Sequence, residues 1–220
     1  MNIVFDLDGT LVDSAPDLMI ASNKMLRGEG LEPLDLATIT SFVGNGLPKL
    51  VERVLRARGI ATSQFERLYD EVRDFYNAAP ADESKPMPGV MALLDKLKAD
   101  GHRLGICTNK PEEPARLMLN LLGLEPYFDT VVGGDALPEK KPHPAPLNLA
   151  FERLGPGARL YVGDSEVDAE VALAAEVTFA IYAHGYRKQA IDGLPHDFRF
   201  DHFEELGPII DTLPEAETAA

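Results

Sequence analysis

The sequence predicts an α/β fold in which helices cover both faces of a doubly wound parallel sheet, with a smaller helical segment inserted after the first strand. Two patterns in the chain of 220 residues favour this fold. From residue 90 onward, short apolar runs alternate with amphipathic stretches, which is typical of parallel strands joined by helices. The apolar run at 3–5 predicts a buried first strand, whereas 15–80 has helical periodicity and no convincing strand.

Three amphipathic helices are predicted within the inserted segment. Ser14 and Asp17 form a capping-box pattern with Pro16 in the first turn, so a helix is expected to begin there. Apolar side chains at helical spacing predict a second helix over 47–55 and a third over 65–76. Helices of this kind can pack together as a small bundle.

The rest of the chain, after a segment rich in Pro at 85–89, returns to alternating helices and strands. Predicted strands lie at 103–107, 130–132, 160–162 and 177–182; predicted helices lie at 111–122 and 166–175, with two more indicated by apolar stripes at 90–97 and 147–154. The predicted division is a core segment at 1–14, a helical segment at 15–80 and the remaining core at 81–220, with a hinge near 81–89. The last residues, 214–220, are expected to fray.

Charge limits the classes of partner. The chain has 36 acidic and 21 basic residues and a net charge of −15, so neither nucleic acid nor an anionic membrane is expected to bind it. An anionic substrate would need local Mg²⁺, Lys or Arg. No apolar run reaches membrane-spanning length and no leader pattern precedes the first strand, which favours the cytoplasm. The single cysteine, Cys107, lies in a strand-like run and is expected to be a buried, inert thiol.

Two carboxylates follow the first predicted strand. Residues 6–14 read DLDGTLVDS, and strand periodicity places Asp6 and Asp8 on the same side of the backbone. Gly9 allows a sharp turn or a close approach of the backbone to a ligand. Because neighbouring carboxylates repel, the pair is expected to hold a cation, share a proton or both. An Asp-rich turn without further function is the alternative.

Polar groups also follow three later strands, at the edge where catalytic sites of such sheets lie. Thr108 fits either a hydroxyl that binds a phosphate oxygen or a plain helix N-cap. One of the lysines at 140–141 could neutralise a phosphate, although a solvated basic loop is the alternative. Asp164 leaves a strand, and Asp168 lies in the first helical turn beyond it, where it also matches a capping box with Ser165.

In chain order, these four segments resemble the four motifs of the haloacid dehalogenase-like hydrolases, in the phosphatase form that has Asp at both positions of the first motif. The resemblance implies that Asp6 is a nucleophile that becomes an aspartyl-phosphate and that Asp8 is the general acid and base. It assigns Thr108 to phosphate binding. Because the lysine of the third motif directly precedes a proline, the resemblance selects Lys141 over Lys140.

The family also implies a metal site and a domain arrangement. Mg²⁺ would be held by the side chains of Asp6 and Asp164 and by the backbone carbonyl of Asp8. Asp168 would bind the Mg²⁺ ion through a water molecule or hold the metal ligands in place. The implied core is Rossmann-like, and the helical segment at 15–80 matches a C1-type cap, which covers the site and selects substrate.

Further segments resemble the bacterial phosphoglycolate phosphatases within that family, which implies 2-phosphoglycolate as substrate. They lie at 13–18, 44–46, 133–135 and 185–188. The residues expected to contact substrate are Gly9, Asn45, Lys49, Asn109 and Arg187. Lys49 or Arg187 would pair with the substrate carboxylate, unless Arg187 lies on the surface; the loop around Asn45 could equally be an ordinary connection. One departure is Glu176, where relatives usually have the Gly that favours an αL helix C-cap.

Other functions are compatible with much of the same pattern. A broad-specificity phosphatase of sugar phosphates or other small metabolites is the main alternative, and a phosphomutase resembling β-phosphoglucomutase would use the same two aspartates. A dehalogenase lacks the second Asp, and a non-catalytic regulator should have lost Asp6, Asp8 or Asp164, all of which are present. The expected partner is a small phosphorylated metabolite, and the chain is expected to be a monomer or a homodimer.

Overall fold

A computed structural model describes residues 1–213 and contains a six-stranded sheet in which all neighbouring strands are parallel. In chain order the strands are β1 (Asn2–Phe5), β2 (Val12–Asp13), β3 (Lys85–Pro86), β4 (Arg103–Cys107), β5 (Thr130–Val132), β6 (Arg159–Gly163), β7 (Thr178–Tyr182) and β8 (Phe198–Phe200). The sheet has the order β5-β4-β1-β6-β7-β8, while β2 and β3 form a separate antiparallel pair. The predicted doubly wound α/β fold is confirmed; the predicted fraying at 214–220 lies outside the described residues.

Side chains of the central strands enter two apolar clusters on opposite faces of the sheet. Ile3 and Phe5 belong to one cluster and Val4 to the other, as the alternation of side chains along a strand requires. Leu160 and Tyr161 of β6 divide in the same way. All four residues of β1 are buried, so the strand that precedes Asp6 is anchored on both faces.

Helices make up the inserted segment and connect the strands of the sheet. In chain order they are α1 (Ala15–Gly28), α2 (Leu36–Thr40), α3 (Leu47–Ala57), α4 (Phe65–Ala78), α5 (Val90–Ala99), α6 (Glu112–Leu121), α7 (Ala145–Leu154), α8 (Glu166–Ala174) and α9 (Leu206–Asp211). Between β2 and β3, α1 packs against α2 and α4, and α3 packs against α4. No helix within residues 1–213 has both the length and the hydropathy needed to cross a bilayer.

The start of α1 differs from the predicted capping box. Ser14 makes no capping bond, and its hydroxyl donates to Asp8 Oδ1 at 2.5 Å. Asp17 Oδ2 accepts hydrogen bonds from the backbone N–H of Ser84 at 2.8 Å and from its hydroxyl at 2.6 Å. The predicted capping box is wrong because both side chains have tertiary partners, one in the core and one in the linker that returns from the helical segment.

Five short elements, α2, α9, β2, β3 and β8, are not among the sequence predictions. The strand β8 has three residues, and its pairing with β7 defines it. The helix α2 has five residues, and its N-cap is Asp35, whose side chain accepts the Thr38 N–H at 2.7 Å. Segments of this length contain about one period of a strand or helix, so hydrophobic periodicity gives no signal for them.

Glu176 adopts a left-handed backbone conformation at the end of α8, with φ of 55°. Its N–H bonds to the Leu173 carbonyl at 3.2 Å, and the N–H of Val177 bonds to the Ala172 carbonyl at 3.0 Å, which is a Schellman motif. Glycine adopts this conformation without a Cβ clash, so Glu176→Gly should raise the free energy of unfolding by about 1 kcal/mol. Urea denaturation tests this. Glu176→Ala keeps the Cβ and should gain far less, and an equal gain in both variants would contradict the backbone explanation.

Candidate active site

The carboxyl ends of three neighbouring strands bring polar side chains together at the centre of the sheet. Asp6 follows β1, Thr108 follows β4, and Asp164 follows β6. The winding direction reverses between β1 and β6, and parallel α/β sheets bind ligands outside the strand ends at such a reversal. Lys141 reaches the same place from the long connection between β5 and α7.

Lys141 joins the carboxylates of two strand ends. Its Nζ lies 2.9 Å from Asp6 Oδ1 and 2.8 Å from Asp168 Oδ1, and it donates to the Tyr161 hydroxyl at 2.9 Å. Burial disfavours an ammonium, but the two carboxylates outweigh it and raise the pKa of Lys141 above its ordinary value. The lysine is therefore charged at neutral pH. Tyr161 is absent from the predicted site because a tyrosine inside a strand has the pattern of a core residue.

Asp6 and Asp164 form a buried acidic pair that suits a hard cation. Burial raises the pKa of both carboxyls, that of Asp6 to about 7 against the attraction of Lys141, and neighbouring carboxylates raise them further. Carboxylate oxygens of Asp6, Asp164 and Asp168 lie within 4.8 Å of one another. A divalent cation that prefers oxygen ligands would relieve this repulsion, so the donor set fits Mg²⁺.

Asp168 already has protein donors at both carboxylate oxygens. Oδ1 accepts hydrogen bonds from Lys141 at 2.8 Å and from Tyr161 at 2.7 Å, and Oδ2 accepts them from the Ser165 N–H at 3.1 Å and hydroxyl at 2.6 Å. Against the effect of burial, Lys141 and these donors hold the pKa of Asp168 below its ordinary value. This bonding favours the second predicted role, in which Asp168 holds its neighbours in place.

Asp164 is oriented from two sides, and Gly9 leaves room for it. The Thr10 hydroxyl donates to Oδ1 at 2.7 Å, and the Tyr186 N–H donates to Oδ2 at 2.6 Å. Gly9 has φ of 88°, and a Cβ there would lie 2.8 Å from Asp164 Oδ2. The Gly9 N–H donates to the Val12 carbonyl at 2.9 Å. The structure thus gives Gly9 a steric role in the turn, and its contact with substrate stays a prediction.

Asp8 has partners of its own, separate from those of Asp6. Its Oδ1 accepts the Ser14 hydroxyl at 2.5 Å and lies 3.0 Å from Lys110 Nζ. Lys110 is buried, and it also donates to the Tyr76 hydroxyl at 2.8 Å. Sequence reasoning assigned no role to Lys110, although it follows directly after Thr108 and Asn109 at the end of β4. The feature of the sequence that could have identified Lys110 is its position in the polar segment after β4.

A cavity of about 300 Å³ lies between the strand ends and the helical segment. Its lining from the core includes Asp6, Asp8, Thr108, Asn109 and Lys110, and its lining from the helical segment includes Leu18, Val43, Gly44, Leu47 and Tyr76. The Asn109 amide donates to the carbonyls of Gly44 at 3.3 Å and Lys141 at 3.1 Å, and so ties the two sides together. A space of this size, with apolar walls and a few polar groups, suits a small ligand.

Thr108 is not the N-cap of α6. This helix begins at Glu112, whose N–H donates to Asp135 Oδ1 at 2.8 Å. The Thr108 hydroxyl accepts the Lys110 N–H at 3.2 Å and lines the cavity. The N-cap alternative is wrong because Asp135, from the loop after β5, bonds to the first turn instead. The phosphate-binding alternative agrees with the position of Thr108.

Three residues predicted to contact substrate do not line this cavity. Lys49 forms an exposed ion pair on its own helix. Asn45 Oδ1 accepts a hydrogen bond from Arg53 at 2.7 Å, and the Arg187 guanidinium donates to the Ala183 carbonyl. None of Lys49, Asn45 and Arg187 is among the residues that line the cavity, so the structure does not bring them to the carboxylates. Among the residues predicted to contact substrate, Asn109 does line the cavity.

Comparisons with known proteins agree with this geometry. The sequence model that describes the haloacid dehalogenase-like hydrolase family matches residues 3–182 of this chain. A phosphoglycolate phosphatase of Cereibacter sphaeroides is 47% identical over 96% of this chain and 98% of its own length, and one of Yersinia pestis is 40% identical over 94% and 92%. The crystal structure of a predicted phosphoglycolate phosphatase from Haemophilus somnus superposes with a TM-score of 0.89 at 31% identity and covers 94% of this chain and 96% of that one.

Proposed function

The chain belongs to the haloacid dehalogenase-like hydrolase family and is a phosphatase, and we propose that it hydrolyses 2-phosphoglycolate with Mg²⁺ through an aspartyl-phosphate on Asp6. The observation that carries the mechanism is that two carboxylates line one cavity and have different partners. Asp6 is paired with Lys141 at 2.9 Å, whereas Asp8 is bonded to Ser14 at 2.5 Å. Two neighbouring carboxyl groups with different partners suit two different roles.

In the first half-reaction, a carboxylate oxygen of Asp6 attacks phosphorus and the ester P–O bond breaks. Lys141 offsets the charge of the phosphate, so that an anionic nucleophile can approach it. Asp8 donates its proton to the departing oxygen, which leaves as glycolate. Thr108 donates to a phosphate oxygen from the floor of the cavity. Held by Asp6, Asp164 and the Asp8 backbone carbonyl, Mg²⁺ would supply positive charge beside the phosphate.

In the second half-reaction, water attacks the phosphorus of the aspartyl-phosphate. Asp8, now ionised, accepts the proton of that water, and the bond between phosphorus and the Asp6 oxygen breaks. The products are inorganic phosphate and regenerated Asp6 and Asp8, so atoms and protons balance over the cycle.

The helical segment at 15–80 acts as a cap in this proposal. It contributes Leu18 and Tyr76 to the cavity wall, and its two linkers pair as β2 and β3. A cap excludes water from the aspartyl-phosphate until the leaving group has departed. The relatives named phosphoglycolate phosphatases support the substrate, because the chain matches them along nearly its whole length.

The test is a phosphate-release panel. With Mg²⁺, we expect kcat/KM for 2-phosphoglycolate to exceed that for hexose phosphates, phosphoserine and pyrophosphate by at least about 100-fold, because a site that pairs with a carboxylate discriminates strongly against substrates without one in that position. EDTA should abolish turnover and added Mg²⁺ should restore it. A preference for hexose phosphates would indicate the broad-specificity alternative, and activity that depends on a bisphosphate primer would indicate a phosphomutase.

A further inference from the structure

We propose that Lys110 binds the carboxylate of the substrate's leaving group and is the main determinant of specificity for a carboxylate-bearing phosphate ester. This inference rests on the proposed function, since it takes 2-phosphoglycolate as the substrate. It replaces the predicted contacts of Lys49 and Arg187, which have other partners and do not line the cavity.

The burial of Lys110 is the first observation. Its side chain is 7% exposed, yet it lines the cavity, where an apolar side chain could fill the same space. A buried ammonium is costly unless it is paired, and Lys110 has the Asp8 carboxylate at 3.0 Å and the Tyr76 hydroxyl at 2.8 Å. The cation is therefore held in the cavity ready for a ligand.

The second observation is the position of Lys110 relative to the chemistry. Asp8 must reach the leaving oxygen to protonate it, and the carboxylate of 2-phosphoglycolate is one methylene away from that oxygen. Lys110 Nζ is 3.0 Å from Asp8 Oδ1, so a group attached to the leaving oxygen lies beside this ammonium. An ammonium has three N–H donors, and within residues 1–213 Lys110 directs two of them at Asp8 and Tyr76. A donor is left for the substrate.

The other cations at the cavity are less suited to this role. Lys141 is bound to Asp6 and Asp168 at the phosphate end. The Arg73 guanidinium is 41% exposed and already pairs with two neighbouring acidic residues of its own helix. Lys140 is exposed. Lys110 is the buried cation that lies on the leaving-group side.

The helical segment contributes to this contact through Tyr76. Its hydroxyl accepts the Lys110 hydrogen bond, and the Lys110 Nζ also lies 4.9 Å from the centre of its ring. Because Tyr76 lies on α4 and Lys110 follows β4, carboxylate recognition depends on contact between the helical segment and the core.

The experiment compares 2-phosphoglycolate with ethyl phosphate, which has a methyl group in place of the carboxylate. The measured quantity is the ratio of the two kcat/KM values. The ratio should fall by about 10- to 100-fold in Lys110→Met, the loss expected for a hydrogen bond to a charged group. Lys110→Arg keeps the charge and should recover part of the ratio. Tyr76→Phe, which leaves Lys110 in place, should lower the ratio by a smaller factor and gives a second reading if Lys110→Met folds poorly.

Lys96→Met is the matched control, because Lys96 pairs with Asp100 on an exposed helix surface and should not affect the ratio. Equal losses on both substrates in Lys110→Met would overturn the proposal and leave Lys110 a residue that only positions Asp8. A fall in the ratio in Lys140→Met but not in Lys110→Met would also overturn it. In the wild-type protein, a ratio near one would contradict the proposed function itself. A high wild-type ratio that Lys110→Met leaves unchanged would instead contradict only the role of Lys110, so the two failures are distinguishable.

Discussion

Asp6→Asn is expected to abolish turnover, by at least about 10⁴-fold in kcat, while the protein stays folded. The amide has nearly the shape of the carboxylate but cannot attack phosphorus. Lys141 keeps Asp168 at 2.8 Å and Tyr161 at 2.9 Å, so its ammonium is still paired when Asp6 loses its charge. The loss should therefore appear in the chemical step and not in stability.

The pKa of Asp6 gives this variant a second signature. In the folded protein the pKa is raised from 3.8 to about 7, mainly by burial, so the folded state holds this proton more tightly than the unfolded state. Its contribution to stability is full below pH 3.8 and is lost as the pH rises to about 7. Without metal, wild-type protein should lose more stability than Asp6→Asn between pH 5 and pH 8, as measured by urea denaturation in EDTA.

Phosphate release should be measured on freshly purified Asp6→Asn, with mass spectrometry to exclude deamidation back to Asp. Asp192→Asn is a suitable control, because Asp192 is exposed and lies outside the cavity lining. Turnover by intact Asp6→Asn would contradict the covalent mechanism. An equal dependence of stability on pH in both proteins would contradict the raised pKa.

Lys141→Met should lower both activity and stability. The side chain is 2% exposed and neutralises Asp6 and Asp168, which is fully buried, so its removal leaves carboxylates buried without a cation. Breaking a buried ion pair from one side costs about 3–5 kcal/mol, and we expect a loss in this range at neutral pH. The kcat should fall by about 10³-fold, because the phosphate charge is no longer offset.

Urea denaturation in EDTA measures the stability of Lys141→Met without a contribution from metal binding. Lys140→Met is the matched control for stability, because the neighbouring lysine is exposed and such changes usually stay within about 0.5 kcal/mol. Equal stabilities of the two variants would contradict the assignment of Lys141 as the cation that neutralises the buried carboxylates.

Much of the core fold could be predicted because its strands are apolar runs separated by amphipathic helices. The strands β4 and β5 were predicted with the bounds that the structure has, and the resemblance to the hydrolase family is confirmed. Polar residues at strand ends are also visible in a sequence, and the carboxyl ends of parallel strands lie at one edge of the sheet, where such sheets bind ligands. This argument predicts that Asp6, Thr108 and Asp164 share one edge of the sheet, and the structure places Asp6 near Asp164 and both Asp6 and Thr108 in the cavity lining.

The partners of these residues could not be predicted, because tertiary packing selects them from distant parts of the chain. Ser14 has the pattern of a helix cap, but its hydroxyl bonds to Asp8. Lys49 and Arg187 are cations in segments that resemble a substrate site, yet they bond to other groups and do not line the cavity. A local pattern reports which groups are available, and it contains no information about which of them meet across the fold.

The α/β core, the helical segment and the two carboxylates that follow the first strand can be predicted from the sequence, because each depends on periodicity or on residues close together in the chain. Only the tertiary structure decided what surrounds those carboxylates. It places Lys141 beside Asp6 and Lys110 beside Asp8, at 2.9 and 3.0 Å. These pairs join residues more than a hundred positions apart in the chain, and their formation depends on how strands and helices pack.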